Sequence, residues 1–245
     1  LHGGLKGFDK KIWKTVTKKD GSVTLSYLSV NGEEGFPGNL EVQVTYTLSD
    51  DNAISMDYVA KTDQATVLNI CNHSYFNLSG NAKRDVLDHN IQLNAPFFIP
   101  IDKVLIPTGE VKSVKGGPFD FTSPKKIGLD INAADEQIAF GGGYDHCYAF
   151  DKALGAYGKI ARVEDPTSGR VMEVFTTEPG VQFYTGNNLD GHLKGKNGAI
   201  YNKRTGFCLE TQHYPDSPNK PNFPSTVLRP GETYTSKTVY QFSVQ

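Results

Sequence analysis

The sequence is poor in the residues that mark metal, disulfide or covalent chemistry. It holds three cysteines in 245 residues, Cys71, Cys147 and Cys208. They are widely spaced and odd in number, which fits reduced core thiols and leaves no disulfide framework or paired zinc ligands. Its six histidines are scattered with no His-x-x-x-His, so the expectation is no metal. Gly-x-Ser-x-Gly is missing, which removes the usual serine nucleophile. Neither sign of charge dominates, with 25 Lys plus Arg against 27 Asp plus Glu and no long block of either. Such a balance gives no footprint for nucleic acid or an anionic membrane, and the expected partner is an uncharged small molecule. No apolar run approaches the roughly 18–20 residues of a membrane span, since Phe97-Phe98-Ile99-Pro100-Ile101 is short and broken by proline.

Period-two alternation is abundant. Leu40–Leu48 and Ile54–Val59 read as half-buried strands joined by a turn at Asp50-Asp51-Asn52. Val23–Val30, Ala65–Asn72, Asn90–Leu93, Cys147–Phe150, Ala161–Glu164, Val171–Thr176, Phe207–Thr211 and Thr233–Phe242 read as further strands, most bounded by Gly, Pro, Asn or Asp. The best helical stretch is Ile131–Ile138, one or two turns long. Many short strands with few helices imply an all-β fold, a large antiparallel sandwich, in one domain over residues 1–245.

Four segments mix polar and aromatic residues in ways that suit chemistry. In Cys71-Asn72-His73-Ser74-Tyr75-Phe76-Asn77, a strand would put His73, Tyr75 and Asn77 on one face. In Phe207-Cys208-Leu209-Glu210-Thr211-Gln212, alternation groups Glu210 with Cys208 and Gln212. Glu210 is then either an exposed-face residue or a partly buried acid with its pKa raised by desolvation, and spacing alone does not choose. Gly141-Gly142-Gly143-Tyr144-Asp145 offers a carboxylate beside a sharp turn, equally readable as a turn or cap aspartate. In Val181-Gln182-Phe183-Tyr184, one strand face carries a carboxamide and a phenol, a mixture that suits a sugar and also any half-exposed strand.

Taken together, Leu1-His2-Gly3-Gly4 with Gly7-Phe8-Asp9, Asn72-His73-Ser74-Tyr75-Phe76-Asn77-Leu78, Tyr144-Asp145-His146, Thr177-Glu178-Pro179-Gly180-Val181-Gln182-Phe183-Tyr184 and Leu209-Glu210-Thr211-Gln212 closely resemble the aldose 1-epimerase (galactose mutarotase) family, in its order and from end to end. The resemblance implies a β-sandwich of the galactose mutarotase type and a cofactor-independent isomerase that interconverts the α and β anomers of free aldohexoses such as galactose and glucose. It also implies that Glu210 is the general base at the C1 hydroxyl and His73 the general acid at the ring oxygen, starting as carboxylate and imidazolium. By the same carry-over His2, Tyr75, Asp145 and Gln182 bind the sugar.

Members of that family carry a further N-terminal segment of several strands, with an Asn-Arg pair at the sugar site. The expectation is therefore one aldose 1-epimerase-like domain without those strands, the sequence being incomplete, and a cytoplasmic monomer. Two other readings stay open: a non-catalytic carbohydrate-binding protein on the same fold, and a relative acting on a phosphorylated hexose or another hemiacetal. Retention of both His73 and Glu210 favours the enzyme, because binding alone needs no acid–base pair.

Overall fold

The structure is a computed structural model that describes residues 1–245. In chain order its strands are β1 Lys14–Lys19, β2 Ser22–Ser29, β3 Leu40–Leu48, β4 Ala53–Thr62, β5 Thr66–Val67, β6 Asn90–Leu93, β7 Phe97–Phe98, β8 Lys112–Ser113 and β9 Lys125–Lys126. After the helix α1, Glu136–Gly141, come β10 Asp145–Ala149, β11 Gly158–Glu164, β12 Arg170–Thr176, β13 Gly180–Tyr184, β14 Cys208–Gln212, β15 Val227–Leu228 and β16 Tyr234–Val244. The antiparallel sandwich expected from the alternation is what forms. No helix is long and apolar enough to cross a membrane.

Nine strands form the larger sheet in the order β1-β2-β3-β4-β16-β12-β11-β6-β9, and five form the smaller one in the order β14-β13-β10-β7-β8. Alternation decides which side chains fill the space between them. Met56, Tyr58, Met172, Val174 and Tyr240 of the larger sheet join Tyr148, Val181, Phe183 and Leu209 of the smaller in one buried cluster. The Tyr240 hydroxyl donates to the Leu209 carbonyl at 2.8 Å, which satisfies a polar group inside that core. The β3–β4 turn lies where expected, with Asn52 at φ 59°, a left-handed conformation that asparagine tolerates.

The two-residue strands β7, β8, β9 and β15 were not expected, and three larger elements also differ from the sequence expectation. Of Ala65–Asn72 only Thr66–Val67 is strand, paired with β15. Beyond it the backbone finds other partners: Asn69 exchanges two hydrogen bonds with the backbone of His213, at 3.0 and 3.1 Å, and the Ser74 N–H donates to the Asn72 side chain at 3.1 Å. The helix begins at Glu136 rather than Ile131, because the Asp135 carboxylate accepts from the Gln137 and Ile138 N–H groups and so fixes the start. Finally β1, which had no signal, is an edge strand exposed along its whole length, with Lys14, Lys18 and Lys19 guarding its free hydrogen-bonding groups.

One ion pair joins the long loop before β6 to the β11–β12 hairpin. Asp165 is fully buried and takes both Arg84 contacts, at 2.7 and 3.0 Å, together with the Ser168 N–H at 3.2 Å. Burial by itself would raise this carboxyl, but the Arg84 and Ser168 bonds prevail and hold it at about 2. Arg84→Ala leaves the charge without its partner. The expected loss is about 2–3 kcal/mol, below the ~3–5 of a wholly buried pair because the arginine is in part reached by water. Since the folded pKa is depressed, the stabilisation is complete above the ordinary value of 3.8 and disappears as pH falls toward about 2. Thermal melts should therefore show a gap between parent and Arg84→Ala at neutral pH that narrows in acid; equal melting temperatures at neutral pH would refute the assignment.

Candidate active site

The smaller sheet has its apolar face in the core and its other face turned outward, and the register of three strands assembles that outer face. Cys147, Gln182 and Glu210 are successive cross-strand partners on β10, β13 and β14, and Asp145, Tyr184 and Cys208 form the next row. Residues two apart on a strand share a face, so all six project the same way, while His146, Phe183 and Leu209 between them enter the core. Gly180 at the start of β13 is needed for close approach: a Cβ there would lie 2.8 Å from the Tyr148 carbonyl oxygen.

The other wall comes from the loop before β6. Phe76 and Phe207 exchange backbone hydrogen bonds at 2.8 and 3.0 Å, anchoring the loop to the entry of β14. That anchor carries His73 over Glu210, with Nε2 to Oε1 at 3.5 Å. Tyr75 stacks on His73 at a centroid distance of 5.4 Å and meets Tyr184 edge-on at 6.1 Å. The first turn adds His2, whose ring meets His73 edge-on at 5.4 Å. That turn is held by Glu34, which accepts from the Leu5 and Lys6 N–H groups at 2.9 and 3.1 Å.

All six residues singled out from the sequence, His2, His73, Tyr75, Asp145, Gln182 and Glu210, meet at this cleft. Their setting differs from expectation in two respects. His73 and Tyr75 are on a loop and not a strand, and Asn77 does not share their face: its amide donates to the Arg84 and Thr205 carbonyls at 2.7 and 2.9 Å, a structural role. Glu210 is the buried acid of the two readings, with only 7% of its surface exposed.

Desolvation sets the charge state. Burial, reinforced by the nearby Asp145 carboxylate, pushes the Glu210 carboxyl up to about 8, against a weaker opposing bond from the Cys71 thiol. Burial also lowers His73 below its ordinary value and raises Asp145, although the Gln182 amide donates to Asp145 at 2.8 Å. Both shifts favour the shared proton on Glu210, so the expected starting pair of carboxylate and imidazolium has to be reached by moving that proton to His73. The opposite atom of Gln182, Oε1, is buried without a donor, an acceptor left for a ligand hydroxyl.

The sequence reading missed some of this wall. Cys208 is buried, as a core thiol should be, and lies on the Glu210 face where alternation grouped it. Cys71, also read as a core thiol, is half-buried on a loop and its thiol approaches the Glu210 carboxylate at 3.8 Å, which nothing in the sequence signalled. Also unassigned was Glu178, buried and bonded to His213 at 2.7 Å and to the Tyr234 hydroxyl at 3.0 Å. This cluster ties the entry of β13 to the residue following β14.

Comparison with known proteins agrees with this geometry. The sequence model of the family described as aldose 1-epimerase matches residues 1–241. The chain is 49% identical over 244 residues to galactose mutarotase of Homo sapiens, covering 100% of this chain and 69% of that protein. It is 42% identical over 245 residues to aldose 1-epimerase of Escherichia coli K12, covering 99% of this chain and 70% of that one. Among solved structures it resembles an aldose epimerase homologue from C. elegans, with TM-score 0.88, 29% identity and coverage of 100% of this chain and 72% of the other. Galactose 1-epimerase from Lactobacillus acidophilus gives TM-score 0.82 at 27% identity, covering 100% and 70%.

The charge analysis is testable without any turnover. A carboxyl-labelled NMR titration should find Glu210 changing ionisation near pH about 8. In Asp145→Asn the repulsion that helps raise it is gone, so the midpoint should move to lower pH. A Glu210 midpoint at the ordinary 4.5, or no displacement in the variant, would contradict the desolvated site.

Proposed function

The chain belongs to the aldose 1-epimerase family, and from that premise we propose that Glu210 and His73 open and reclose the pyranose ring of a free aldohexose such as galactose or glucose. The activity is that of a mutarotase, an isomerase interconverting the α and β anomers. The observation that supports the residue assignment is the 3.5 Å approach of His73 Nε2 to Glu210 Oε1 beside a polar sheet face.

Ring opening needs two proton movements at once. The C1 hydroxyl proton passes to Glu210, the C1–O5 bond breaks, and His73 gives a proton to the ring oxygen, leaving an open-chain aldehyde. Rotation about C1–C2 presents the other face of the carbonyl, and the two transfers run backward to close the ring. Glu210 must begin as carboxylate and His73 as imidazolium. That form is reached from the neutral pair by shifting one proton from Glu210 to His73, and sugar hydroxyls that donate to the carboxylate favour the shift. The pair carries one transferable proton throughout, and each cycle returns it.

Asp145, the free Gln182 Oε1 and His2 accept or donate to the remaining hydroxyls, and the Tyr75 ring covers part of the sugar's C–H surface. Holding the ring still between acid and base lowers the entropic share of the barrier. A phosphorylated substrate is disfavoured because four of the five arginines are engaged elsewhere. Arg84 and Arg162 pair with Asp165 and Glu164, while Arg170 and Arg204 bond backbone carbonyls of Leu78 and Gly142.

Polarimetry of fresh α-D-galactose and α-D-glucose decides the proposal. The parent chain should speed the approach to anomeric equilibrium over a buffer blank, and Glu210→Gln and His73→Asn should each lower kcat about 10²–10⁴-fold, the usual range for a lost general acid or base. The single-proton pair predicts a bell-shaped kcat/KM. Activity falls above pH about 8 as the raised Glu210 loses the shared proton, and falls in acid, below the ordinary 6.5, as the lowered His73 gains a second one. Full activity in either variant would overturn the assignment.

A further inference from the structure

The cleft brings together three donors that the sequence keeps far apart. A ring nitrogen of His73, a carboxylate oxygen of Glu210 and the sulfur of Cys208 all lie within 4.8 Å of one another. Register is the cause: Cys208 and Glu210 stand two apart on β14 and project to one side, and the Phe76–Phe207 bridge delivers His73 above them. We propose that these three residues form a site for a thiophilic divalent cation, Zn²⁺ before others, which blocks the mutarotase while bound.

The donor set selects the ion. One sulfur, one nitrogen and one oxygen suit borderline-soft Zn²⁺, whereas Mg²⁺ and Ca²⁺ require oxygen donors and gain nothing from Cys208. Tetrahedral zinc at about 2.0–2.3 Å from each ligand places the donors about 3.3–3.8 Å apart. The His73–Glu210 separation of 3.5 Å already fits, and the sulfur must close on both donors by up to about 1.2 Å. His73, a third exposed and on a loop, can approach the sulfur, and side-chain rotation of Cys208 and Glu210 brings those two together without moving β14. Three protein ligands leave a fourth position open toward the cleft for water.

Charge also balances there. A thiolate and a carboxylate offset the dication, and both groups, which burial holds toward their protonated forms, release their protons to solvent on binding. Catalysis needs no such ion. The bound cation takes the His73 and Glu210 atoms that would move protons, so it excludes the sugar's reacting end. The inhibitory consequence rests on the acid–base reading above, whereas the binding site itself does not.

The test has two arms. In the first, the full chain is titrated with Co²⁺ as a spectroscopic substitute for Zn²⁺. The expected result is one cobalt per chain with a thiolate-to-cobalt charge-transfer band, displaced by Zn²⁺, abolished in Cys208→Ala and retained in Cys71→Ser. His73→Asn, a change on a partly exposed loop that leaves the buried sheet intact, should weaken cobalt binding at least about tenfold, in line with loss of one ligand. In the second arm, Zn²⁺ should raise the apparent KM for galactose without lowering kcat, and Cys208→Ala should need at least about tenfold more Zn²⁺ for the same inhibition, each chain compared with its own metal-free rate. No charge-transfer band, a band that persists in Cys208→Ala, or a band lost in Cys71→Ser would each overturn the site. If the metal-free parent fails to turn over sugar, the acid–base reading falls while the cobalt titration still decides the cation.

Discussion

The cleft depends on a carboxyl group that the fold withholds from water. Glu210 lies mid-strand on β14 with hardly any exposed surface, its nearest charged neighbour is another acid, and the helpful contacts are a thiol and an imidazole. An ordinary surface glutamate would be ionised at neutral pH and a poor proton acceptor. Desolvation makes it a stronger base once ionised, which is the property that abstracting a hydroxyl proton requires. The same dry environment weakens the basicity of His73 and so strengthens its imidazolium as an acid. One cause therefore moves the two groups past each other, Glu210 up and His73 down, so burial opposes the preference that their ordinary values would give the shared proton.

Rigidity and mobility are divided between the two walls. The floor is a three-strand ladder whose opposite face is packed by Phe183, Tyr148 and Leu209, so Glu210, Gln182 and Asp145 cannot shift without disturbing the core. Below the end of that ladder the Glu178–His213–Tyr234 cluster fixes where β13 begins and β14 stops. The roof is different. His73 and Tyr75 ride on a loop pinned at Phe76 and tied back by Asn69, and His2 sits on a turn held by Glu34. Asp145, Gln182 and Glu210 are thus on the packed sheet, and His2, His73 and Tyr75 are on loop segments.

Much of the sandwich was legible because a half-buried strand writes its own pattern. Leu40–Leu48 and Asn90–Leu93 alternate in burial as their sequences suggest. β1 was silent, since a strand exposed on both sides has no burial to encode. The loop at Leu68–Tyr75 misled for the opposite reason: its apolar residues look like a strand, but side chains of Asn69 and Asn72 take the hydrogen bonds a ladder would have used. At the site, residue identity came through the family resemblance, while charge state did not. Whether Glu210 faced water or a cleft is a tertiary fact, settled by a loop that arrives from well over a hundred residues away in the chain. The cluster of His73, Glu210 and Cys208 was hidden in the same way, because its spacing exists only after folding.

Acid–base ring opening, as proposed, sets a constraint that this arrangement answers. In that scheme the activation comes from protons already on the protein. The donor has to be acidic enough to protonate an ether oxygen and the acceptor basic enough to deprotonate a hydroxyl, yet both must tolerate the reversed roles during ring closure. Groups with their ordinary values, near 4.5 and 6.5, hold the proton on the histidine and so oppose its net passage to the glutamate during opening. Burial raises the one and lowers the other, and so works against that preference without adding a charge to the cleft. The Asp145 carboxylate, restrained by Gln182, contributes to keeping Glu210 high. If Asp145 binds a sugar hydroxyl as proposed, substrate binding and acid–base tuning share a residue, and an aldose that engages Asp145 also adjusts Glu210.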